Sequence, residues 1–198
     1  MSVLATENEK ILIEKSKQGD VDAFEQLIIS YQKKIVNLAY RMLGNMADAE
    51  DAAQDIFVRV FRSISGFNEQ AAFSTWIYRI ATNVCLDILR KKKRQNEQNT
   101  ISIHRGEEND EYELPIEDNQ PSPYEQAQKS AAMKALEKAL NQLGDEQKMV
   151  IILRDINGLS YEEIAEITNC TLGTVKSRIN RSRLTLRKLL ENDKELFL

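Results

Sequence analysis

All three prolines of this 198-residue chain sit within nine positions, Pro115, Pro121 and Pro123. Proline removes a backbone donor and breaks helix interiors, so the long stretches on either side are free to be helical and the stretch between them is not. Only seven glycines accompany them, and residues rich in Ala, Leu, Glu, Lys and Ile surround them. That scarcity of turn formers disfavours a β-sandwich and favours an all-α chain. Around the prolines, residues 96–124 hold eight acids and one base, Arg105, for a net −7, with few apolar anchors. Such a segment cannot bury enough surface to offset its ordering entropy. The expected architecture is therefore two small helical domains, 1–95 and 125–198, joined by a flexible acidic linker, 96–124.

Helical periodicity supports this on both sides. Asp20 is placed to cap a helix with Phe24, Leu27, Ile28, Tyr31, Ile35, Leu38 and Met42 on one stripe, ending near Gly44. A second helix, from about Asp48 to Ser63, turns Ala52, Ala53, Ile56, Phe57, Val60 and Phe61 inward and leaves Asp48, Asp51, Gln54 and Asp55 on the opposite face. A third is expected from a cap at Ser74 to about Arg94, with Trp76, Ile77, Ile80, Ala81, Val84, Ile88 and Leu89 as its apolar set. Beyond the linker, Ala131–Leu143 and Glu146–Ile156 read as two more, broken at Gly144.

The C-terminal pattern is the most informative. Ser160-Tyr161-Glu162-Glu163 is a capping box that opens a short helix ending near Thr168. Asn169 tolerates a left-handed turn, and a second helix follows from about Thr171 to Leu190. The pair has the dimensions of a helix-turn-helix, with Ile164, Ile167, Leu172, Val175 and Ile179 filling the wedge beside small Ala165. Thr174, Ser177, Arg178 and Arg181 share one face. Residues 171–190 carry six bases and no acid, a composition suited to a major groove rather than merely to a solvated face. Residues 78–94 hold six bases against Asp87. Beside them lie Phe67, Phe73, Trp76 and Tyr78 with Asn68, Gln70, Thr82 and Asn83, a mixture that suits unstacked single-stranded bases, although most of these aromatics also fit an ordinary core and core packing is the better explanation of Trp76. The whole-chain charge of −4 conceals these opposed segments.

The strings DAFEQLI with YRMLGN (22–45), DAEDAAQDIFVRVF (48–61), FSTWIYRIATNVCLD with RKKKR (73–94) and LSYEEIAEITNCTLGTVKSRINRSRLTLRK (159–188) together resemble the extracytoplasmic-function (ECF) class of bacterial sigma factors. The resemblance covers nearly the whole chain apart from the linker and the extreme termini. It implies a σ2-like and a σ4-like domain that turn core RNA polymerase into a promoter-specific holoenzyme. By motif, Asp48, Asp51, Gln54 and Asp55 would dock on the clamp helices of the largest polymerase subunit, and the σ4-like domain on the flap region. Phe67, Asn68, Glu69, Gln70, Ala71 and Asn83, with Arg79, Arg90, Lys91 and Lys92, would bind the minus 10 element and hold a flipped base. Thr174, Lys176, Ser177, Arg178 and Arg181 would read the minus 35 element. The resemblance also implies an anti-sigma factor as a further partner, and a linker running near the RNA exit path. The linker's acids suggest a basic surface of polymerase that holds it extended.

Other classes fit less well. Cys85 and Cys170 have no CxxC partner and His104 is the single histidine, so neither a disulfide framework nor a zinc site is implied, and no metal or cofactor is expected. The cysteines read as small hydrophobes. No glycine-rich phosphate loop is present, which argues against a nuclease or other enzyme. A one-component regulator would explain the helix-turn-helix but neither the acidic helix nor the first basic track. Without a basic segment leading into an apolar run at the N-terminus, the chain is expected to be soluble and cytoplasmic.

Overall fold

A computed structural model describes residues 7–98 and 123–197. The body of the acidic stretch, 99–122, lies outside the described residues. Its margins belong to helices, because α4 (Phe73–Gln98) and α5 (Pro123–Asn141) reach past the expected boundaries. Proline at the first position of α5 costs nothing there, since that N–H has no helical partner.

Among the described residues every regular element is helical. The N-terminal half contains α1 (Glu7–Lys17), α2 (Val21–Leu43), α3 (Met46–Ser63) and α4. Asp20 caps α2 by accepting from the Ala23 amide at 3.0 Å, and Gly44 ends it in the left-handed region at φ 74°. Asn45 caps α3 by accepting from the Asp48 amide at 2.9 Å. Helix α1 escapes the sequence pattern because its apolar residues, Ile11 to Ile13, are consecutive rather than periodic. Acids in its first turn and lysines in its last stabilise it through the helix dipole, and Ile13 is its buried anchor.

The C-terminal half contains α5, α6 (Asp145–Ile151), α7 (Tyr161–Thr168) and α8 (Leu172–Leu189). Helix α6 continues as a π-helical turn over Ile152–Ile156, closed by the Asn157 amide on the Ile152 carbonyl at 2.9 Å. The capping box of α7 is complete: Glu163 N–H donates to Ser160 Oγ at 3.1 Å and Ser160 N–H to Glu163 Oε2 at 2.7 Å. Asn169 follows at φ 50°, and Thr171 caps α8.

Four expectations need correction. Ser74 does not cap α4; the Trp76 amide bonds the Ala72 carbonyl, which starts the helix before Phe73, a residue drawn into the core. Phe61 remains 39 % exposed and meets α2 only through an edge contact with Phe24 at 4.9 Å. Leu172 is 40 % exposed, lying at the first position of α8 outside the wedge that Val175 and Ile179 fill. Helix α4 also buries a second face, Thr75, Tyr78, Thr82 and Cys85. The reason is that α7 packs on α4 and α6 approaches it, so one buried cluster runs from Leu27, Ile56 and Ile77 through to Val150, Ile164 and Ile179.

Candidate nucleic-acid interface

Residues 67–72 connect the short 3-10 turn Ile64–Gly66 to α4. The Phe67 ring is 5 % exposed and packs against Trp76 and Phe73 at 5.2 and 5.5 Å between centroids. It anchors the loop rather than projecting from it. Asn68 Oδ1 accepts from the Gln70 amide at 3.3 Å, which turns the chain, and Glu69 takes a left-handed φ of 58°. Glu69 points away from its neighbours to Lys17 of α1, at 2.8 Å. Lys17 also pairs with Glu14 at 2.8 Å, and the hydrogen bonds it donates to both carboxylates push its own pKa up while it holds that of Glu69 down.

This arrangement opens a cavity of about 390 Å³ lined by Phe67, Asn68, Gln70, Ala71, Thr75, Trp76, Arg79 and Glu166. Five residues expected at a single-strand site thus share one recess: Phe67, Asn68, Gln70, Ala71 and Arg79. Trp76, half-buried, also lines the recess while packing on Phe67. Thr82 is excluded, being 1 % exposed with its hydroxyl donating to the Tyr78 carbonyl at 2.9 Å. Tyr78 is 6 % exposed, and burial pushes its phenol pKa up. Phe73 is likewise core.

Along the exposed face of α4, Arg79, Asn83 and Arg90 follow one another at helical spacing. Arg90 pairs with Asp87 at 3.2 Å, and Lys91 is exposed. Lys92 bonds Asp48 of α3 at 2.5 Å, so the basic track and the acidic face meet at this pair. Asp51, Gln54 and Asp55 are exposed on α3, with Asp55 held by Arg59 one turn on at 2.9 Å. All four acidic-face residues therefore project on one side while Ala49, Ala52, Ala53, Ile56 and Val60 fill the other.

On α8, Lys176, Ser177 and Arg181 are exposed and Thr174 is half-buried. Thr174 Oγ1 bonds Thr171 Oγ1 at 3.0 Å, and Arg181 leans back on the Ser177 carbonyl at 3.4 Å. Arg178 departs from the expectation of a wholly outward reader. Its guanidinium, 25 % exposed, pairs with Glu146 of α6 at 3.0 Å, which fixes α8 against α6. Arg183 grips Asp155 of the π turn with both Nε, at 3.0 Å, and Nη2. Both pairings join residues far apart in sequence and carry no local signal. Arg154 locks the entry to the motif, donating to the Leu159 carbonyl at 2.6 Å and lying 4.6 Å over the Tyr161 ring.

Comparison with known proteins agrees with this division. A family model described as Sigma-70 region 2 matches residues 27–95, and one described as Sigma-70, region 4 matches residues 133–186. The ECF RNA polymerase sigma factor SigW of Bacillus subtilis is 39 % identical over 180 residues, 91 % of this chain and 95 % of that protein. The RNA polymerase sigma-H factor of Pseudomonas aeruginosa is 32 % identical over 191 residues, 96 % of this chain and 97 % of its own length. Among solved structures, the sigma factor RpoE in complex with the anti-sigma factor NepR from Bartonella quintana superposes with a TM-score of 0.66 at 25 % identity, over 85 % of this chain and 96 % of that one.

Proposed function

This chain belongs to the ECF class of RNA polymerase sigma factors, and from that premise we propose how its residues divide the work of promoter-directed initiation. The exposed face of Asp51, Gln54 and Asp55, with Asp48 at its edge, docks on core RNA polymerase. The cavity between Asn68 and Arg79 receives a base of the minus 10 non-template strand, while Asn83, Arg90, Lys91 and Lys92 follow its backbone. Helix α8 lies in the major groove at minus 35, where Arg181 and Lys176 reach base edges and phosphates, with Thr174 and Ser177 beside them. Arg178 reads DNA only as far as its bond to Glu146 allows, and so acts partly by fixing the angle of α8.

The observation that carries this reading is the convergence of Phe67, Asn68, Gln70, Ala71 and Arg79 on one open recess in the half that also bears the acidic face. Flipping a base costs a few kcal/mol, and stacking returns about 1–3 kcal/mol per base, so opening proceeds by binding alone. The chain is accordingly read as a binding subunit rather than an enzyme. No helix among the described residues is long and apolar enough to cross a membrane, and work with RNA polymerase puts the site of action in the cytoplasm. The Bartonella quintana relative is bound to an anti-sigma factor, and a protein of that kind is the further partner proposed.

Run-off transcription from a pool of genomic promoters tests the reading. Core polymerase with the chain should initiate at a defined subset, and the Asp51→Lys/Asp55→Lys double variant should lose that activity together with holoenzyme assembly. Promoter binding by the chain at full strength without polymerase would contradict it.

A further inference from the structure

Helix α1 supplies none of the residues that line the recess, but its last residue touches the loop that forms one wall. Lys17 leaves a backbone that is fixed on both sides. Behind it, α1 is seated on the core by Ile13, 3 % exposed, and by the Tyr31 hydroxyl of α2, which donates to Glu9 at 2.5 Å. Ahead of it, Gly19 at φ 89° reverses the chain, with its amide on the Ser16 carbonyl at 3.0 Å and the Asp20 amide on the Lys15 carbonyl at 3.2 Å, and Asp20 at once caps α2. A side chain mounted in this way can hold a flexible neighbour in place.

Two contacts run from Lys17 to the loop. Its ammonium lies 5.5 Å from the centroid of the Phe67 ring and 2.8 Å from the Glu69 carboxylate, 52 residues away in sequence. Glu14, one turn back on α1, accepts from the same ammonium at 2.8 Å and keeps the lysine on this side of the helix. Asn68 lies between the two anchored residues, and Gln70 and Ala71 follow directly, so the three polar and small residues of the recess wall flank the clamped positions. Glu69 itself sits at φ 58°, a left-handed conformation that a residue with a Cβ keeps only where its surroundings determine it. Glu69 is also the one acid in residues 67–72. Turned towards a bound strand, its carboxylate would repel phosphates; bound to Lys17, it is drawn off to α1.

We propose that Lys17 is the positioning residue of the minus 10 loop, pinning Phe67 and Glu69 from outside so that Asn68, Gln70 and Ala71 present one fixed set of groups to the base. Glu69 is then a handle for the loop and not a contact to DNA. The proposal rests on the assignment of the recess to the minus 10 strand and deepens it. An exposed ion pair shifts an equilibrium by about 2- to 5-fold, and a cation over an aromatic ring by a similar factor. Effects of that size leave folding intact and are enough to set the preference between related sequences.

The variants that test this are Lys17→Met, Glu69→Gln, the two combined, and Lys17→Arg. In the full chain, amide exchange over residues 67–72 should quicken about 2- to 5-fold in Glu69→Gln and about 3- to 10-fold in Lys17→Met, with Lys17→Arg close to wild type. In holoenzyme, the ratio of affinities for a preferred minus 10 element and for the same promoter altered in that element should fall by the same factors. The combined variant should fall no further than Lys17→Met, because the two residues act through one contact. Binding of minus 35 duplex should not change. Wild-type exchange in Lys17→Met overturns the clamp, and quickened exchange with an unchanged ratio overturns its part in reading the minus 10 element. Additive losses in the combined variant overturn the coupling of Lys17 to Glu69. Loss of minus 35 binding or of holoenzyme assembly in Lys17→Met marks a general structural role and overturns positioning. A wild-type holoenzyme that does not distinguish minus 10 sequences overturns the assignment of the recess, while loop exchange still reports the clamp separately.

Discussion

Lys148 gives the fold an unusual pH dependence. Burial pushes its pKa down from 10.5 to about 8, against weaker opposing pulls from Asp145, Cys85 and Glu137. Below pH 8 the ammonium is protonated in both the folded and the unfolded chain, and its desolvation cost is paid in full. Between about pH 8 and 10.5 the unfolded chain binds the extra proton, so stability rises with pH. From pH 7 to pH 9 the gain from these two values is about 1.4 kcal/mol. Cys85, pushed up to about 12 by burial, works in the opposite direction, but only as pH passes its ordinary value of 9.0. Urea unfolding followed by circular dichroism at pH 7, 8 and 9, for wild type and Lys148→Met, isolates the lysine. The wild-type midpoint should climb relative to the variant by that energy divided by the urea slope m. Parallel profiles, or a wild type that loses stability relative to the variant, would refute the assignment of Lys148 as a desolvated cation.

Further predictions follow from individual contacts. Ser160→Ala removes one limb of the capping box on a helix of eight residues and should cost about 1 kcal/mol, read as a lower thermal midpoint. Ile56→Ala empties a fully buried site and should cost about 2–5 kcal/mol in urea unfolding. Arg181→Ala should weaken holoenzyme binding at the preferred minus 35 sequence by about 1–3 kcal/mol and relax its base preference, whereas Lys188→Ala should weaken all sequences alike and lower the salt slope by about 1 in filter-binding titrations. Cys85 should resist alkylation in the native chain and react once urea unfolds it, because burial keeps the thiol protonated.

Where local chemistry dictates structure, the sequence is a sufficient guide. Asp20, Gly44, Ser160, Asn169 and Thr171 each sit at the helix boundary that their side chains or backbone freedom favour. The face of α8 and the acidic face of α3 follow from the 3.6-residue period. What periodicity cannot convey is a second partner. Helix α4 was readable as one apolar stripe, yet Tyr78 and Thr82 are buried because the C-terminal half covers them. For the same reason Lys148 reads as a surface lysine until α6 is placed against α2 and α4. The Arg178–Glu146 and Arg183–Asp155 pairs depend on how α8 crosses α6 and the π turn, which is a property of the folded core.

Permanganate footprinting of a promoter tests the central claim, that one end of this chain grips duplex while the other holds unpaired strand. With chain and core polymerase together, and no hydrolysable nucleotide, thymines in the minus 10 element should become reactive while the duplex about 20 base pairs upstream is protected from nuclease. Arg79→Ala/Asn83→Ala should lose the thymine reactivity and keep the upstream protection. Loss of both signals together in that variant, or strand opening that requires nucleotide hydrolysis, would contradict the account.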